Sequence, residues 1–120
     1  MSNYTISDLI NLDQIKEISG DDVEMEIELL QLYFEDTYAR LATIQNEIFH
    51  NNITSIKTEL HHLKGSSGNI GAKKIAEIVV NLEHSCQDAS SDQILGTVQD
   101  IHDYLAQMKA LLIQHYHQEL

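Results

Sequence analysis

The stretch VEMEIELLQLYFEDTYARLATIQNEI, Val23 to Ile48, decides the fold class. Its apolar or small positions fall at Val23, Ile27, Leu30, Phe34, Thr37, Leu41, Ile44 and Ile48, in alternating steps of four and three residues. That period places them on one stripe of a long amphipathic helix, and such a stripe has to be buried against other helices. The same spacing recurs in Ile53, Ile56, Leu60, Leu63, Ser67 and Ile70, in Ile75, Ile78, Leu82 and Cys86, and in Ile94, Val98, Ile101, Leu105, Met108 and Leu112. Four main helices are therefore expected. The 120 residues contain no proline and only five glycines, so long helices run uninterrupted and the turn chemistry of a strand-rich fold is missing.

Punctuation between the stripes sets the expected limits. Asp21 with Glu24 and Ser90 with Gln93 have capping-box spacing, and Asn11 with Gln14 opens a further small helix over residues 12–18 that stops at Gly20. Ser19-Gly20, Asn51-Asn52, Gly68-Asn69 and Ala89-Ser90-Ser91 lie between stripes, so the connections are short. Short connections favour antiparallel neighbours. The expected fold is all-α: an antiparallel up-down-up-down four-helix bundle, with a short additional N-terminal helix across one end, forming one domain over residues 1–120.

Charge narrows the functional classes. Nineteen acidic residues against seven basic ones give a formal charge of −12, whose field repels phosphate backbones and anionic lipid headgroups. Nucleic-acid and membrane-surface roles are disfavoured, and a protein partner is expected. The single cysteine, Cys86, cannot form an internal disulfide, and no segment reads as a secretory signal or a membrane span. A reducing compartment, most simply the cytoplasm, is the expected location. The start at Met1 and the end soon after the last helix point to a free-standing protein.

One segment breaks its own local rules. His61-His62-Leu63-Lys64-Gly65-Ser66-Ser67-Gly68 puts two glycines into an otherwise good helix, each costing roughly 1 kcal/mol against alanine at a helical position. Gly65 could be a C-cap with Lys64 in the last turn, followed by a loop. Alternatively the helix continues, since Ser67 and Ile70 extend the stripe begun at Ile53. On a wheel of about 100° per residue the two histidines fall on opposite flanks of that stripe. His61 shares its flank with Lys57, Lys64, Gly65 and Gly68, whereas His62 has Glu59 one turn earlier and Thr58 and Ser66 around it. An imidazole beside lysine, on a helix shaved flat by glycine, allows close approach of another protein and favours an anion on the ring, with phosphate the natural candidate.

The run His61-x-Leu63-Lys64-Gly65-Ser66-Ser67-x-Asn69-x-Gly71-Ala72 resembles the signature of histidine-containing phosphotransfer (HPt) domains of two-component phosphorelays. The short helix, the Gly20-Asp21 turn, the long helix reading Leu29-Leu30 to Leu41, and the Leu82-Glu83 pair look like that family too, so the likeness spans residues 9–112. The resemblance implies that His61 is the phosphoacceptor and Lys64 the cation on the phosphoryl oxygens. It also implies that Gly65 gives clearance for a docking domain, and that Glu83 is the hydrogen-bond partner of the imidazole. It implies a phosphoryl carrier without kinase activity, a monomer with no cofactor of its own. Its partners would be receiver domains of a hybrid sensor kinase or a response regulator, and these would bring the divalent metal.

Two other readings compete. A purely adaptor bundle would keep the fold without using the histidine. A metal-binding bundle would use the Glu-x-x-His spacings Glu47–His50 and Glu59–His62, yet the first pair lies at a helix end beside Asn51-Asn52. Gly65, Gly68 and Gly71 follow no strand, so they form no nucleotide-binding loop. Cys86 is expected as a small buried hydrophobe, and Tyr33 and Tyr38 as packing residues at the core boundary. The intact set of His61, Lys64 and Gly65 favours the carrier.

Overall fold

The computed structural model describes residues 4–120; the expected span 1–120 thus includes residues 1–3, which lie outside the described residues. Among the described residues six helices follow one another with no strand: α1 (Ile6–Leu9), α2 (Leu12–Ser19), α3 (Val23–Phe49), α4 (Ile53–Ile70), α5 (Lys73–Ser85) and α6 (Ser91–Tyr116). The protein is all-α. α3 and α5 each pack against both α4 and α6, while α2 lies on α3 and α1 on α5 and α6. The four long helices enclose one core, in which Leu30, Leu41, Leu60, Val79, Ile101 and Leu105 are shut off from solvent.

The four apolar stripes are the buried faces, with three local departures, of which Ile53, the first residue of α4, is half-buried. Val23 is 52% exposed because it is the first residue of α3 and projects past the end of the core. In α5 the core residue is Val79, and Ile78 is only half-buried. α1 was not expected from periodicity, since four residues are too few to show a period; Asp8 holds its start by accepting from the Thr5 N–H at 2.9 Å.

The start of α3 also differs from the expected Asp21–Glu24 capping box. Gly20 and Asp21 both adopt left-handed backbone, and the Asp21 N–H closes α2 by donating to the Lys16 carbonyl at 2.9 Å. Asp21 thus belongs to the end of α2, and the N-cap is Asp22, whose carboxylate accepts from the Met25 N–H at 3.2 Å. Ser90 and Gln93 do form the reciprocal pair, with Ser90 N–H donating to Gln93 at 2.7 Å and Gln93 N–H to Ser90 at 3.1 Å. Asn11 caps α2 by accepting from the Asp13 N–H, but Gln14 does not reciprocate.

Gln14 instead reaches α4. Its side-chain amide donates to the carbonyls of Gly68 at 2.6 Å and Asn69 at 2.9 Å, and the Asn11 N–H donates to the Gly71 carbonyl at 2.8 Å. α4 therefore runs straight through Gly65 and Gly68 and ends at Gly71, which adopts left-handed backbone at φ 85°. The reading of Gly65 as a C-cap is set aside. The two glycines inside α4 cost roughly 1 kcal/mol each, whereas burying Leu60, Leu63 and Ile70 contributes about 1.5–3 kcal/mol apiece, so packing carries the helix past them.

Gly71 and Gly65 should accordingly respond in opposite ways to alanine. At Gly71 an added Cβ would stand 2.8 Å from the Asn11 carbonyl oxygen on a left-handed backbone, so Gly71→Ala should lose about 2 kcal/mol or more in urea unfolding. At Gly65 the added Cβ meets nothing within 4 Å, and Gly65→Ala should be neutral or up to ~1 kcal/mol more stable.

Candidate functional site

Three side chains that follow buried leucines by one residue meet on facing rims of α4 and α5. His61 follows Leu60, Lys64 follows Leu63 and Glu83 follows Leu82, and all three leucines are buried. A step of about 100° from a buried position puts a side chain at the edge of the buried face, half turned to solvent. There Glu83 bridges the other two: Oε2 lies 3.3 Å from Nδ1 of His61, and Oε1 lies 3.2 Å from Nζ of Lys64.

The bridge fixes the imidazole. A carboxylate only accepts, so the contact calls for the proton on Nδ1, which leaves the lone pair on Nε2. The His61 side chain is 70% exposed while Glu83 is 17% exposed, so the ring stands out from the surface on a half-buried anchor. Burial pushes the Glu83 carboxyl up, but hydrogen bonds and charge from Lys64 and then His61 outweigh it and hold the group below its ordinary value.

Around His61 the surface of α4 is bare. A Cβ built on Gly65 or Gly68 would touch nothing within 4 Å, so neither glycine is required by packing inside the protein. The buried side of the same segment is tied down, since the hydroxyls of Ser67 and Tyr33 share a 2.8 Å hydrogen bond between α4 and α3. Burial pushes the Tyr33 phenol up to about 12 against the pull of that bond, so Tyr33 is a neutral core residue beneath the site. The sequence pattern had placed it only at the core boundary.

The opposite flank of α4 is built differently. Arg40 of α3 donates from Nη1 to Glu59 at 3.0 Å and from Nε to Asp36 at 2.9 Å, which neutralises the acid next to His62. On the His61 flank, Lys57 donates to Gln87, just past the end of α5, at 3.2 Å. The Glu-x-x-His pairs do not converge: Glu59 is held by Arg40, and the His50 ring lies 3.0 Å from the Asn46 carbonyl of its own helix. Among the described residues no three of His, Cys, Asp and Glu come together as a metal-binding group. None of the described helices is long and apolar enough to cross a membrane.

Comparison with known proteins settles the family. The family model for the Hpt domain matches residues 28–113, from the first third of α3 to the last turns of α6. The chain belongs to the Hpt domain family. No curated protein and no solved structure gives a significant match. Hpt domains act in phosphotransfer within two-component phosphorelays, as phosphocarrier modules rather than kinases, and they work with receiver domains. The likeness first read in the run from His61 to Ala72 is thus that of the family.

Sequence reasoning left one surface of this Hpt domain unnamed. A groove of about 340 Å³ between α2, α3 and α4 is lined by Ile18, Leu29, Leu32 and Ile70, with Ser66 and Asn69 at its α4 edge. Ile18 and Leu32 are more than half exposed. The signal was present, because Met25, Leu29 and Leu32 form a second stripe at helical spacing on the side of α3 away from the core.

Acidification tests the Glu83 bridge. A carboxyl held low in the folded state contributes stability above its unfolded pKa, and that stability is lost as the pH falls through the folded value. Glu83→Gln should therefore melt below the wild type at neutral pH, and the gap should close by pH ~3. A gap that persists in acid would mean that the residue acts through packing instead of charge.

Proposed function

We propose that this Hpt domain is a relay intermediate that takes a phosphoryl group from a receiver-domain aspartyl phosphate onto Nε2 of His61 and passes it to another receiver domain. The supporting observation is the Glu83 bridge, which turns the lone pair of an exposed imidazole outward on a helix face stripped by Gly65 and Gly68. In the transfer Nε2 attacks phosphorus, the bond from phosphorus to the aspartyl oxygen breaks, and its electron pair returns to the aspartate as carboxylate. Onward transfer runs the same step in reverse with a new carboxylate.

Phosphoryl transfer passes through a loose transition state that needs in-line geometry and charge stabilisation more than covalent machinery. Lys64, held by the same carboxylate as the ring, supplies positive charge beside His61, and Gly65 leaves room for the receiver to bring its phosphate in line. Glu83 keeps the tautomer. The chain supplies no cofactor, and the divalent metal belongs with the receiver. Docking uses the groove lined by Ile18, Leu29, Leu32 and Ile70, whose α4 edge at Ser66 and Asn69 lies across the exposed crest of the helix from His61. The long helices run up-down-up-down, which suits their short connections, and the protein acts as a cytoplasmic monomer.

Mixing the protein with a phosphorylated receiver domain and weighing it by intact-protein mass spectrometry tests the carrier role, since only a carrier gains an acid-labile phosphate. His61→Gln should abolish that gain and His62→Gln should leave most of it, with both variants helical by circular dichroism. Phosphate retained on His61→Gln and lost from His62→Gln overturns the assignment. Lys64→Ala should slow transfer with little change in melting, because an ion pair this exposed is worth about 1 kcal/mol or less. Gly65→Gln should slow transfer in a folded protein, and unchanged kinetics would remove the clearance role.

A further inference from the structure

The charge of this protein is unevenly spread along the chain, although α4 and α5 also carry Glu59, Glu77 and Glu83, the last of them bridging Lys64. From Glu17 to Ala39 the chain has eight acidic residues and no lysine or arginine, whereas Lys57, Lys64, Lys73 and Lys74, four of its seven cations, lie on α4 and α5. Lys16 precedes the acidic stretch, and Arg40, which follows it, is taken up by Asp36 and Glu59.

The apolar groove lies between that acidic stretch and α4. Leu29 and Leu32 line it from α3, Ile18 lines it from α2, and Ile70 closes it from α4. On α3, Glu28 stands three residues after Met25 and four before Leu32, and Glu24 stands one turn before Glu28, so both flank the exposed apolar stripe. Glu17, Asp21, Asp22, Glu24 and Glu28 are all exposed, while Glu26 is buried against Tyr116 and takes no part.

We infer that the receiver domain taken by this protein carries lysine or arginine around the face bearing its phosphorylated aspartate, so that a basic rim meets the acids of α2 and α3 while the acyl phosphate meets Lys57 and Lys64. This rests on the relay reading and adds the chemistry of the partner. The occupant follows from charge complementarity: acids on one edge of the docking surface and lysines on the other oppose two different parts of one partner. The same division fixes orientation, because a receiver turned end for end would set its cations against the lysines and its phosphate against Glu24 and Glu28. Fields of this kind act mainly on association rates and are screened by salt.

Two isolated receiver domains, one with a Lys/Arg-rich face around the phosphorylatable aspartate and one with an acidic face, would be phosphorylated with acetyl phosphate and mixed with the full chain. The initial rate of phosphate gain would be followed at low and high salt. The basic-faced receiver should load the protein faster by on the order of tenfold at low salt, with the advantage shrinking as salt rises. The exposed double variant Glu24→Lys/Glu28→Lys should lose or reverse that preference, while Asp100→Lys, on α6 across the bundle from α4, should keep it. Single Glu28→Gln gives the same direction in a milder form should the double variant melt early. Equal loading by both receivers, or a loss of preference in Asp100→Lys as large as in the double variant, overturns the inference and leaves the relay reading standing. If neither receiver phosphorylates His61 at any salt, the relay reading fails, and this inference with it.

Discussion

The last two turns of α4 must stay helical with little help from their own side chains, and the site depends on it. Gly65 and Gly68 contribute almost no propensity, and the final carbonyls of any helix lack partners within it. α2 supplies those partners. Gln14 donates to the carbonyls of Gly68 and Asn69, Asn11 donates to that of Gly71, and the Ala72 N–H returns to the Ser67 carbonyl at 2.8 Å. Gly71 is needed because only a residue without Cβ can hold left-handed backbone so close to the Asn11 carbonyl. The start of α2 is thus the support that lets a bare helix face exist.

That support explains why so much of the bundle was legible in the sequence and so little of its N-terminal end. The stripes of α3, α4 and α6 extend over many turns, and long periodic patterns specify a buried face whatever the neighbours do. Ser67 was legible as a buried position, yet its hydroxyl partner Tyr33 was not, because period alone cannot pair residues 34 apart. Asn11 and Gln14 looked like a reciprocal cap since their spacing allows one, but a carbonyl at the end of another helix competes for the same amide. The Asp21–Glu24 pair misled for a related reason. A second left-handed residue after Gly20 belongs to the stop of α2, and the α3 cap moves one position on.

The candidate site was easier to read than its docking surface. His61, Lys64 and Glu83 each follow a buried leucine, so their shared rim was implicit in the stripes, and the resemblance to Hpt domains singled them out. What spacing could not say is that Glu83 would reach both the imidazole and the lysine at once. The exposed stripe through Met25, Leu29 and Leu32 was passed over because exposed apolar residues are common on any surface and gain meaning only when neighbouring helices gather them. Ile18 and Ile70 do that here, from two other elements.

The two oxygens of Glu83 give the proposed transfer a property that a simple His–Lys pair would lack. Before the phosphoryl group arrives, Glu83 holds Lys64, which keeps the cation close to the ring without another anion beside it. A phosphoryl group on Nε2 offers Lys64 a stronger partner, since it carries more charge spread over three oxygens. If Lys64 turns to it, Glu83 still has the Nδ1–H of His61, so no half-buried carboxylate is left unpaired and the ring stays oriented for the return step. The lysine can therefore change partners at small cost in either direction. A relay intermediate needs that, because a cation bound too firmly to the phosphorylated form would hold back the phosphoryl group that has to be passed on.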